Sequence, residues 1–268
     1  MMADHFFARL ANRLGYRLEP KTDPARIKAL VRRMRPMDAG PQLVRLGGAG
    51  DGGYLVPDDF SDIDACFSPG VSTSSTFERD LYERAGIRSF LADWSVESPT
   101  IDLPESVFLK KYLGIDNDDQ FITLDDWVRS SVGDHSGDLI LQMDIEGAEY
   151  QVLYRTPPAL LARFRIIVIE LHGLNRWTER PFFDFAEEAL GHLLSRFTCV
   201  HLHPNNYCEN FSYAGIDMPW GIEATFLRND RVGEKAPASS FPHPLDVPNF
   251  SDRPNMALPG WWYEDGHR

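Results

Sequence analysis

The stretch that decides the fold is Leu139-Ile-Leu-Gln-Met-Asp144-Ile-Glu146-Gly147-Ala-Glu149-Tyr150, an apolar run that ends on carboxylates and a glycine. A parallel strand that is covered on both faces reads as such a continuous run. Because open α/β sheets bind ligands beyond the carboxyl ends of their strands, Asp144 and Glu146 are expected at the mouth of a site. The alternative is that Asp144 only caps the following helix.

Four other β-prone runs of the chain also end on polar or small residues. They lead to Glu170 and His172, to Asp93, to Ser68-Pro69-Gly70, and to His201, His203 and Asn205. If these strands are parallel neighbours, their polar ends share one edge of a sheet. The recurrence therefore favours an active-site edge over simple helix capping at Asp144.

The order of the runs predicts the fold class. A strand, a small-residue loop, a helix and an acid-terminated strand are followed by further strand and helix units. This order predicts an α/β fold with a doubly wound, Rossmann-like sheet, mostly parallel with a late antiparallel strand over residues 222–228.

We expect three parts in the chain. Residues 1–60 form an N-terminal extension with helices near 6–14 and 27–34 and a hairpin over 43–57, residues 61–231 form the main domain, and residues 232–268 form a tail rich in proline and aromatics. The aromatic residues favour a tail packed on the domain, and a disordered tail is the alternative. The segment Asp51-Gly52-Gly53-Tyr54 is either a tight turn or a flap over a ligand.

Composition excludes some classes of partner and compartment. The formal net charge of −13 argues against a nucleic-acid partner, because phosphate binding relies on Lys and Arg. Three cysteines without a metal-type spacing indicate a reducing, cytoplasmic setting. No signal-peptide core or membrane span is expected, since the amino terminus mixes charged with apolar residues and later apolar runs are short.

The loop before the second acid indicates the kind of cofactor. Asp93 follows Gly70 by 23 residues, close to the spacing of about 20 between a cofactor-loop glycine and a ribose-binding acid. Ser68-Pro69-Gly70-Val71-Ser72 has one glycine where a pyrophosphate loop has three, so a bound pyrophosphate is not expected. A cofactor with a ribose and no phosphate, S-adenosylmethionine, fits this loop better.

Several motifs resemble those of the FkbM-type methyltransferases, with Asp144-Ile-Glu146-Gly147-Ala-Glu149 the most specific of them. The other matching pieces are Ile122-Thr-Leu-Asp125, Ile169-Glu-Leu-His-Gly173, Asp51-Gly-Gly-Tyr54 and the His201 to Asn206 run. The resemblance spans roughly residues 43 to 228. It implies a class I methyltransferase fold and S-adenosylmethionine-dependent methyl transfer to oxygen, on a sugar, a glycan or a small natural product.

The resemblance also implies roles for individual residues. It assigns the cofactor loop to Ser68, Pro69 and Gly70 and the ribose hydroxyls to Asp93. Helix-start groups near Ser72 would receive the methionine carboxylate. Phe67 or Trp94 would cover the adenine, and packing is the alternative role for Trp94. Asp125 and Asp144 complete the predicted cofactor site.

Methyl transfer to an alcohol needs alignment and removal of the hydroxyl proton by a base or with the help of a metal. His172 is the preferred general base, with Asp144 and Glu170 as catalytic partners. A Mg²⁺ or Mn²⁺ ion would take Asp144 and Glu170 with His201 and His203, or with Asn205. The alternative is that these histidines only pack or form hydrogen bonds in the core. Trp177, Tyr207, Trp220 and Trp261 are candidates for a wall that stacks on a sugar ring.

Two rival classes compete with this hypothesis. One is a metal-dependent hydrolase or oxygenase, which would leave Asp93 without a role. The other is a non-catalytic cofactor-binding module, suggested by the glycine-poor loop. A carbohydrate or small-molecule acceptor and a homodimer are the partners we expect, without nucleic acid.

Overall fold

The fold is described from a computed structural model for Arg13, Gly15 and residues 19–99, 103–133, 137–207 and 209–264. The strands are β1 (Met37–Asp38), β2 (Leu43–Leu46), β3 (Tyr54–Pro57), β4 (Ile63–Pro69), β5 (Arg88–Ala92), β6 (Val107–Leu109), β7 (Tyr112–Gly114), β8 (Phe121–Thr123), β9 (Asp138–Met143), β10 (Phe164–Leu171), β11 (Phe197–Pro204), β12 (Phe211–Tyr213), β13 (Ile216–Met218), β14 (Ile222–Arg228) and β15 (Ala236–Pro237). The α-helices are α1 (Pro24–Arg33), α2 (Thr76–Ala85), α3 (Leu124–Val132), α4 (Glu149–Arg155), α5 (Pro158–Leu161) and α6 (Arg180–Leu194). Of the predicted helix near residues 6–14, the structure describes Arg13 alone.

The central sheet confirms the predicted fold class. Among the described residues, seven strands form it in the order β11-β14-β10-β9-β4-β5-β6. The five strands β10, β9, β4, β5 and β6 run parallel to one another, whereas β14 runs antiparallel to both β10 and β11. The late antiparallel strand over 222–228 is therefore β14, and the chain has a Rossmann-like α/β fold.

Apolar runs place the central strands in the core. Residues 139–143 of β9 and all of β10 are buried, as expected for strands covered on both faces. On one face, the Phe67 ring stacks on Phe90 and meets Trp127 and Phe164 edge-on. Because β4 and β9 are hydrogen-bonded to each other in parallel, their carboxyl ends meet at one edge.

The stretch after Asp93, whose sequence has no long apolar run, forms short strands in the structure. It contains β6, which closes the edge of the sheet, and the short pair β7 and β8. These strands have three residues each and no long apolar run, so their sequence gives only a weak strand signal. Thr123 caps α3, because its side-chain oxygen accepts a hydrogen bond from the Asp126 N–H.

The N-terminal hairpin and the C-terminal segment both contact the sheet. The predicted hairpin is the antiparallel pair of β2 and β3, and Thr225 Oγ1 donates to the Leu55 carbonyl at 2.7 Å. Leu258 and Trp262 of the C-terminal segment are buried. Among the described helices, none is both long and apolar enough to cross a bilayer.

Candidate functional site

The ends of β4 and β9 lie in direct contact. Gly70 follows β4 with φ +83°, and a Cβ at this position would lie 1.6 Å from the Asp144 carbonyl oxygen. The Gly70 N–H donates to the Ala92 carbonyl of β5 at 2.8 Å. Only glycine fits this approach, so the predicted cofactor loop is held against the residue that follows β9.

Asp93 closes the neighbouring strand end. Its Oδ2 accepts from the Ser72 N–H at 2.8 Å, and its Oδ1 accepts from the N–H and hydroxyl of Ser95, both at 2.7 Å. The carboxylate is buried, and each oxygen is partnered. Asp93 thus ties the small-residue loop to the end of β5, and a ribose would share or displace these donors.

The remaining residues of the predicted cofactor site lie in different surroundings. Ser68 is fully buried, and its hydroxyl contacts the carboxyl of Glu78 and the side-chain oxygen of Gln142. Ser72 is exposed, while Pro69 is buried at the end of β4. Trp94 is half-buried, with Lys110 Nζ 5.7 Å from its ring centre. The Ser68 side chain therefore faces the core, beneath the loop.

Asp125 lies on helix α3. It pairs with Arg129 and borders a cavity of about 190 Å³ between α3, the loop after β7 and the end of α4. A second cavity of about 300 Å³ is lined by Leu113, Ala148 and Gln151 and by other residues around β7. Gly114, Ile115, Asp116 and Val152 line both cavities. Asp125 is therefore not part of the cluster formed around Asp144.

The ends of β9 and β10 bring Asp144, Glu170 and His172 together. The Nε2 atom of His172 lies 3.9 Å from Asp144 Oδ1 and 3.7 Å from Glu170 Oε1. It also lies 3.5 Å from Oε2 of Glu146, whose side chain is 88% exposed. On the other side of the ring, Nδ1 lies 3.0 Å from Oε1 of the buried Glu149. One imidazole thus faces four carboxylates.

This concentration of negative charge shifts the protonation equilibria. Burial raises the pKa of Asp144 to about 7, with His172 opposing the shift and Glu146 and Glu149 adding to it. Burial, reinforced by Asp144, raises the pKa of Glu170 well above its usual range. Burial disfavours the imidazolium of His172, but its contact with Glu149 and the surrounding carboxylates raise its pKa to about 9. The cluster therefore holds protons at neutral pH.

A second acidic group lies beside the first. Asp51, Glu170 and Glu223 each place an oxygen within 4.8 Å of the others. Asn205 Nδ2 donates to Glu170 Oε1 at 2.7 Å, and Asn249 donates to Glu223 Oε1. Asp51 belongs to the Asp51-Gly52-Gly53-Tyr54 segment, so this loop reaches the strand-end edge.

His201 and His203, the predicted metal-ligating histidines, contact acids outside the His172 cluster. His201 Nε2 lies 3.0 Å from Asp246 Oδ1 of the C-terminal segment. His203 Nδ1 donates to Glu223 Oε2 at 3.1 Å, and its Nε2 lies 3.4 Å from Asn255 Oδ1. The structure therefore does not bring these two histidines to Asp144, and both contact the segment that follows residue 240.

A cleft of about 370 Å³ opens over the acid cluster. Asp144, Glu170 and His172 line it together with Tyr207 and Trp220, which are 60% and 43% exposed. Of the other two candidate aromatic residues, Trp177 is fully buried, and its indole N–H donates to Tyr150. Trp261 donates to the Asp217 carbonyl. Two of the four predicted aromatics therefore lie in the cleft.

Sequence reasoning missed three contributors to this cleft and its cluster. The sequence places Glu149 in the first turn of a helix and no closer to His172, but α4 turns its carboxylate back to that ring. Glu223 is the second residue of the antiparallel strand β14, so its acid precedes an apolar run instead of ending one. Phe250 comes from the C-terminal segment, and no local pattern places it in the cleft.

Comparison with known families agrees with this geometry. Residues 70–197 match the Methyltransferase FkbM domain, which confirms the resemblance to this family over the matched residues and supports a methyltransferase. The matched residues include Gly70, Asp93, Asp144, Glu170 and His172. No curated protein matches the chain.

Proposed function

From the FkbM methyltransferase domain matched by residues 70–197, we propose that the chain transfers a methyl group from S-adenosylmethionine to a hydroxyl oxygen of a sugar, a glycan or a small natural product. The observation that carries the proposal is the contact of Gly70 with the Asp144 backbone. It puts the small-residue loop beside the acid and histidine cluster. A donor held at the loop would therefore face an acceptor held at the cluster.

The methyl donor is assigned to the ends of β4 and β5. Asp93 would hold the ribose hydroxyls, and the loop from Ser68 to Ser72, through its backbone at Pro69 and Gly70, would carry the rest of the cofactor. Support comes from the buried Asp93 carboxylate, which already accepts donors from the same loop. Trp94 is the candidate for adenine contact.

The acceptor is assigned to the cleft over Asp144, Glu170 and His172. Transfer forms the bond between the acceptor oxygen and the methyl carbon, breaks the bond between that carbon and sulfur, and releases S-adenosylhomocysteine. The hydroxyl proton passes to Asp144, because its pKa of about 7 leaves this carboxyl partly ionised at neutral pH, whereas His172, with a pKa of about 9, holds its proton there. A divalent ion, Mg²⁺ or Mn²⁺, would add to this chemistry by polarising the hydroxyl oxygen, and the proposal for methyl transfer holds with or without it.

The walls of the cleft favour a neutral or cationic carbohydrate. Exposed Trp220 and Tyr207 offer flat apolar faces, and Asp51, Glu170 and Asn205 offer hydrogen-bonding groups for hydroxyls. The carboxylates around the cleft would repel sulfated, phosphorylated or uronic-acid acceptors. A reducing, cytoplasmic setting fits the free, buried thiols of Cys66 and Cys199. A homodimer stays a prediction.

Methyl transfer can be tested with S-adenosylmethionine labelled in the methyl group and a panel of neutral, amino and acidic glycosides. We expect labelled product and S-adenosylhomocysteine with neutral or amino sugars. His172→Gln removes the cation that keeps Asp144 partly ionised, and it should lower kcat at least about 100-fold, the usual scale of general acid–base catalysis. The exposed His192→Gln is the matched control and should keep the activity.

Two outcomes would contradict the proposal. Failure to bind S-adenosylhomocysteine would exclude methyl transfer and leave a metal-dependent hydrolase or oxygenase as the rival. Binding without transfer to any acceptor, with no change in His172→Gln, would favour the non-catalytic cofactor-binding module.

A further inference from the structure

Three side chains at the ends of β9 and β10 are arranged as ligands for a metal ion. Asp144, Glu149 and His172 each place one ligand atom within 4.8 Å of the other two. Asp144 follows β9, Glu149 begins α4 and His172 follows β10, so rigid elements fix the three positions. Two carboxylates and one imidazole are a common donor set for divalent ions.

Two carboxylate oxygens of this group lack partners. Among the described residues, Asp144 Oδ1 and Glu149 Oε2 are buried without a hydrogen-bond donor. Glu149 is fully buried, and its other oxygen accepts from the N–H groups of Ile145 and Gly147. Since a buried carboxylate oxygen is expensive to leave unpaired, these two atoms indicate that a cation completes the group.

The neighbouring acidic group, Asp51, Glu170 and Glu223, does not contain such unpartnered buried oxygens among the described residues. Glu223 has both oxygens engaged, by His203 and Asn249, and Glu170 Oε1 accepts from Asn205. Asp51, its third member, is exposed to solvent. Buried oxygens without a donor occur in the first group and not in the second. The cation site is therefore assigned to Asp144, Glu149 and His172.

We propose that Asp144, Glu149 and His172 bind a divalent metal ion, and that Mn²⁺ is the ion that fits them. Mn²⁺ prefers carboxylate oxygens and also accepts an imidazole nitrogen, whereas Mg²⁺ and Ca²⁺ favour sites built from oxygen alone. Glu170, with Oε1 3.7 Å from His172 Nε2, faces the same space. The site differs from the sequence-based set because His172 and Glu149 replace His201 and His203.

This inference goes beyond the proposed function, because ion binding requires neither the methyl donor nor the acceptor. Electron paramagnetic resonance of free Mn²⁺ can therefore measure it on the full chain without either substrate. We expect one saturable Mn²⁺ per chain. Asp144→Asn, Glu149→Gln and His172→Gln should each weaken binding at least about tenfold. Glu149→Gln keeps an oxygen that can accept from Ile145 and Gly147.

His201→Gln is the matched control, because His201 contacts Asp246 and not the proposed ligands. It should leave the Mn²⁺ affinity within about twofold, and thermal unfolding of each variant checks that it is folded. Pulsed resonance of the Mn²⁺-loaded wild type should show coupling to an imidazole ¹⁴N, which His201→Gln should retain. This readout tests the site even if a cluster variant does not fold.

Three results would overturn the inference: no saturable Mn²⁺ on the wild type, no ¹⁴N coupling, or an equal loss of binding in His201→Gln. S-adenosylhomocysteine titration of the same samples keeps the two proposals apart. A chain that binds S-adenosylhomocysteine but not Mn²⁺ would refute the metal site alone.

Discussion

The two halves of the strand-end edge differ in how their carboxylates are satisfied. At the ends of β4 and β5, both oxygens of Asp93 accept hydrogen bonds, one from Ser72 in the loop after β4 and the other from Ser95 just after β5. At the ends of β9 and β10, buried oxygens of Asp144 and Glu149 have no donor among the described residues. The β4–β5 half is complete within the chain, whereas the β9–β10 half leaves buried carboxyl oxygens that a ligand or a bound proton must satisfy.

The two halves also differ in the kind of contact that fixes their geometry. Gly70 and Asp93 are fixed mainly by backbone contacts, so their geometry depends on the sheet itself. The cluster around His172 depends on side chains from β9, α4 and β10, with Glu223 of β14 beside it. We therefore expect mutations in the first half to act on stability and cofactor affinity, and mutations in the second to act on turnover.

The largest loss of stability is expected at Gly70, where the two halves are in contact. Gly70→Ala places a methyl group against the Asp144 carbonyl at a positive φ, so the strand ends must separate. We expect the free energy of unfolding in urea to fall by about 4 kcal/mol, a size reserved for steric conflict in a packed region. Gly86→Ala is the control, since Gly86 also has a positive φ but nothing within 4 Å of its Cβ position. It should cost about 1 kcal/mol. Equal losses would show that the two halves are not held in contact at Gly70.

A smaller change in the free energy of unfolding, this time a gain in stability, is expected on replacing Glu78, which lies beneath the β4–β5 half. Burial raises the pKa of Glu78 from 4.5 to about 7, although its contact with Ser68 opposes the shift. Because the folded chain binds this proton more tightly, the free energy of unfolding should fall as pH rises from about 4.5 to about 7. The cost above pH 7 is ~3 kcal/mol from a single group.

Glu78→Gln should therefore stabilise the chain at pH 8 and leave its stability at pH 4.5 little changed. Thermal unfolding at several pH values checks this against Glu83→Gln, an exposed acid of the same helix. If Glu78→Gln destabilises the chain at pH 8, this half does not contain a buried acid that resists ionisation.

The smallest effect, a change in the affinity for the acceptor, is expected at Trp220 in the cleft of the β9–β10 half. Trp220→Ala removes an exposed ring from the cleft and should raise KM for a sugar acceptor about tenfold, with kcat within about twofold. Tyr154→Ala, which removes a similarly exposed ring on α4, should change neither constant. A fall in kcat without a change in KM would place Trp220 outside the acceptor contacts.

The sequence predicted the sheet and the partners of His172 on adjacent strands. Long apolar runs identify β4, β5, β9 and β10, and parallel order brings their ends together, so Asp144, Glu170 and His172 could be grouped in advance. Glu149 could not be assigned in the same way, because its role depends on how α4 turns back over β10. The surroundings of His201 and His203 depend on Asp246 and Asn255, distant residues that no local pattern connects to β11.

Local sequence patterns also fail to identify the short strands and the exact ends of helices. The strands β6 to β8 have three residues each, too few for alternation to stand out from a loop. The amphipathic pattern from Phe182 through Phe197 predicts one helix, but α6 ends at Leu194 because Phe197 begins β11. Element type was thus predictable where runs were long, and boundaries depended on the next element.

The central claim is that the cofactor binds at the ends of β4 and β5 and the acceptor at the ends of β9 and β10. Its most direct test is calorimetric titration of S-adenosylhomocysteine into Asp93→Asn and His172→Gln. The division predicts that Asp93→Asn weakens binding at least about tenfold, since a charged acceptor for ribose hydroxyls is lost. His172→Gln should bind within about twofold of the wild type while losing methyl transfer. The reverse order of affinities, or equal losses in both variants, would contradict the assignment of the cofactor to the ends of β4 and β5.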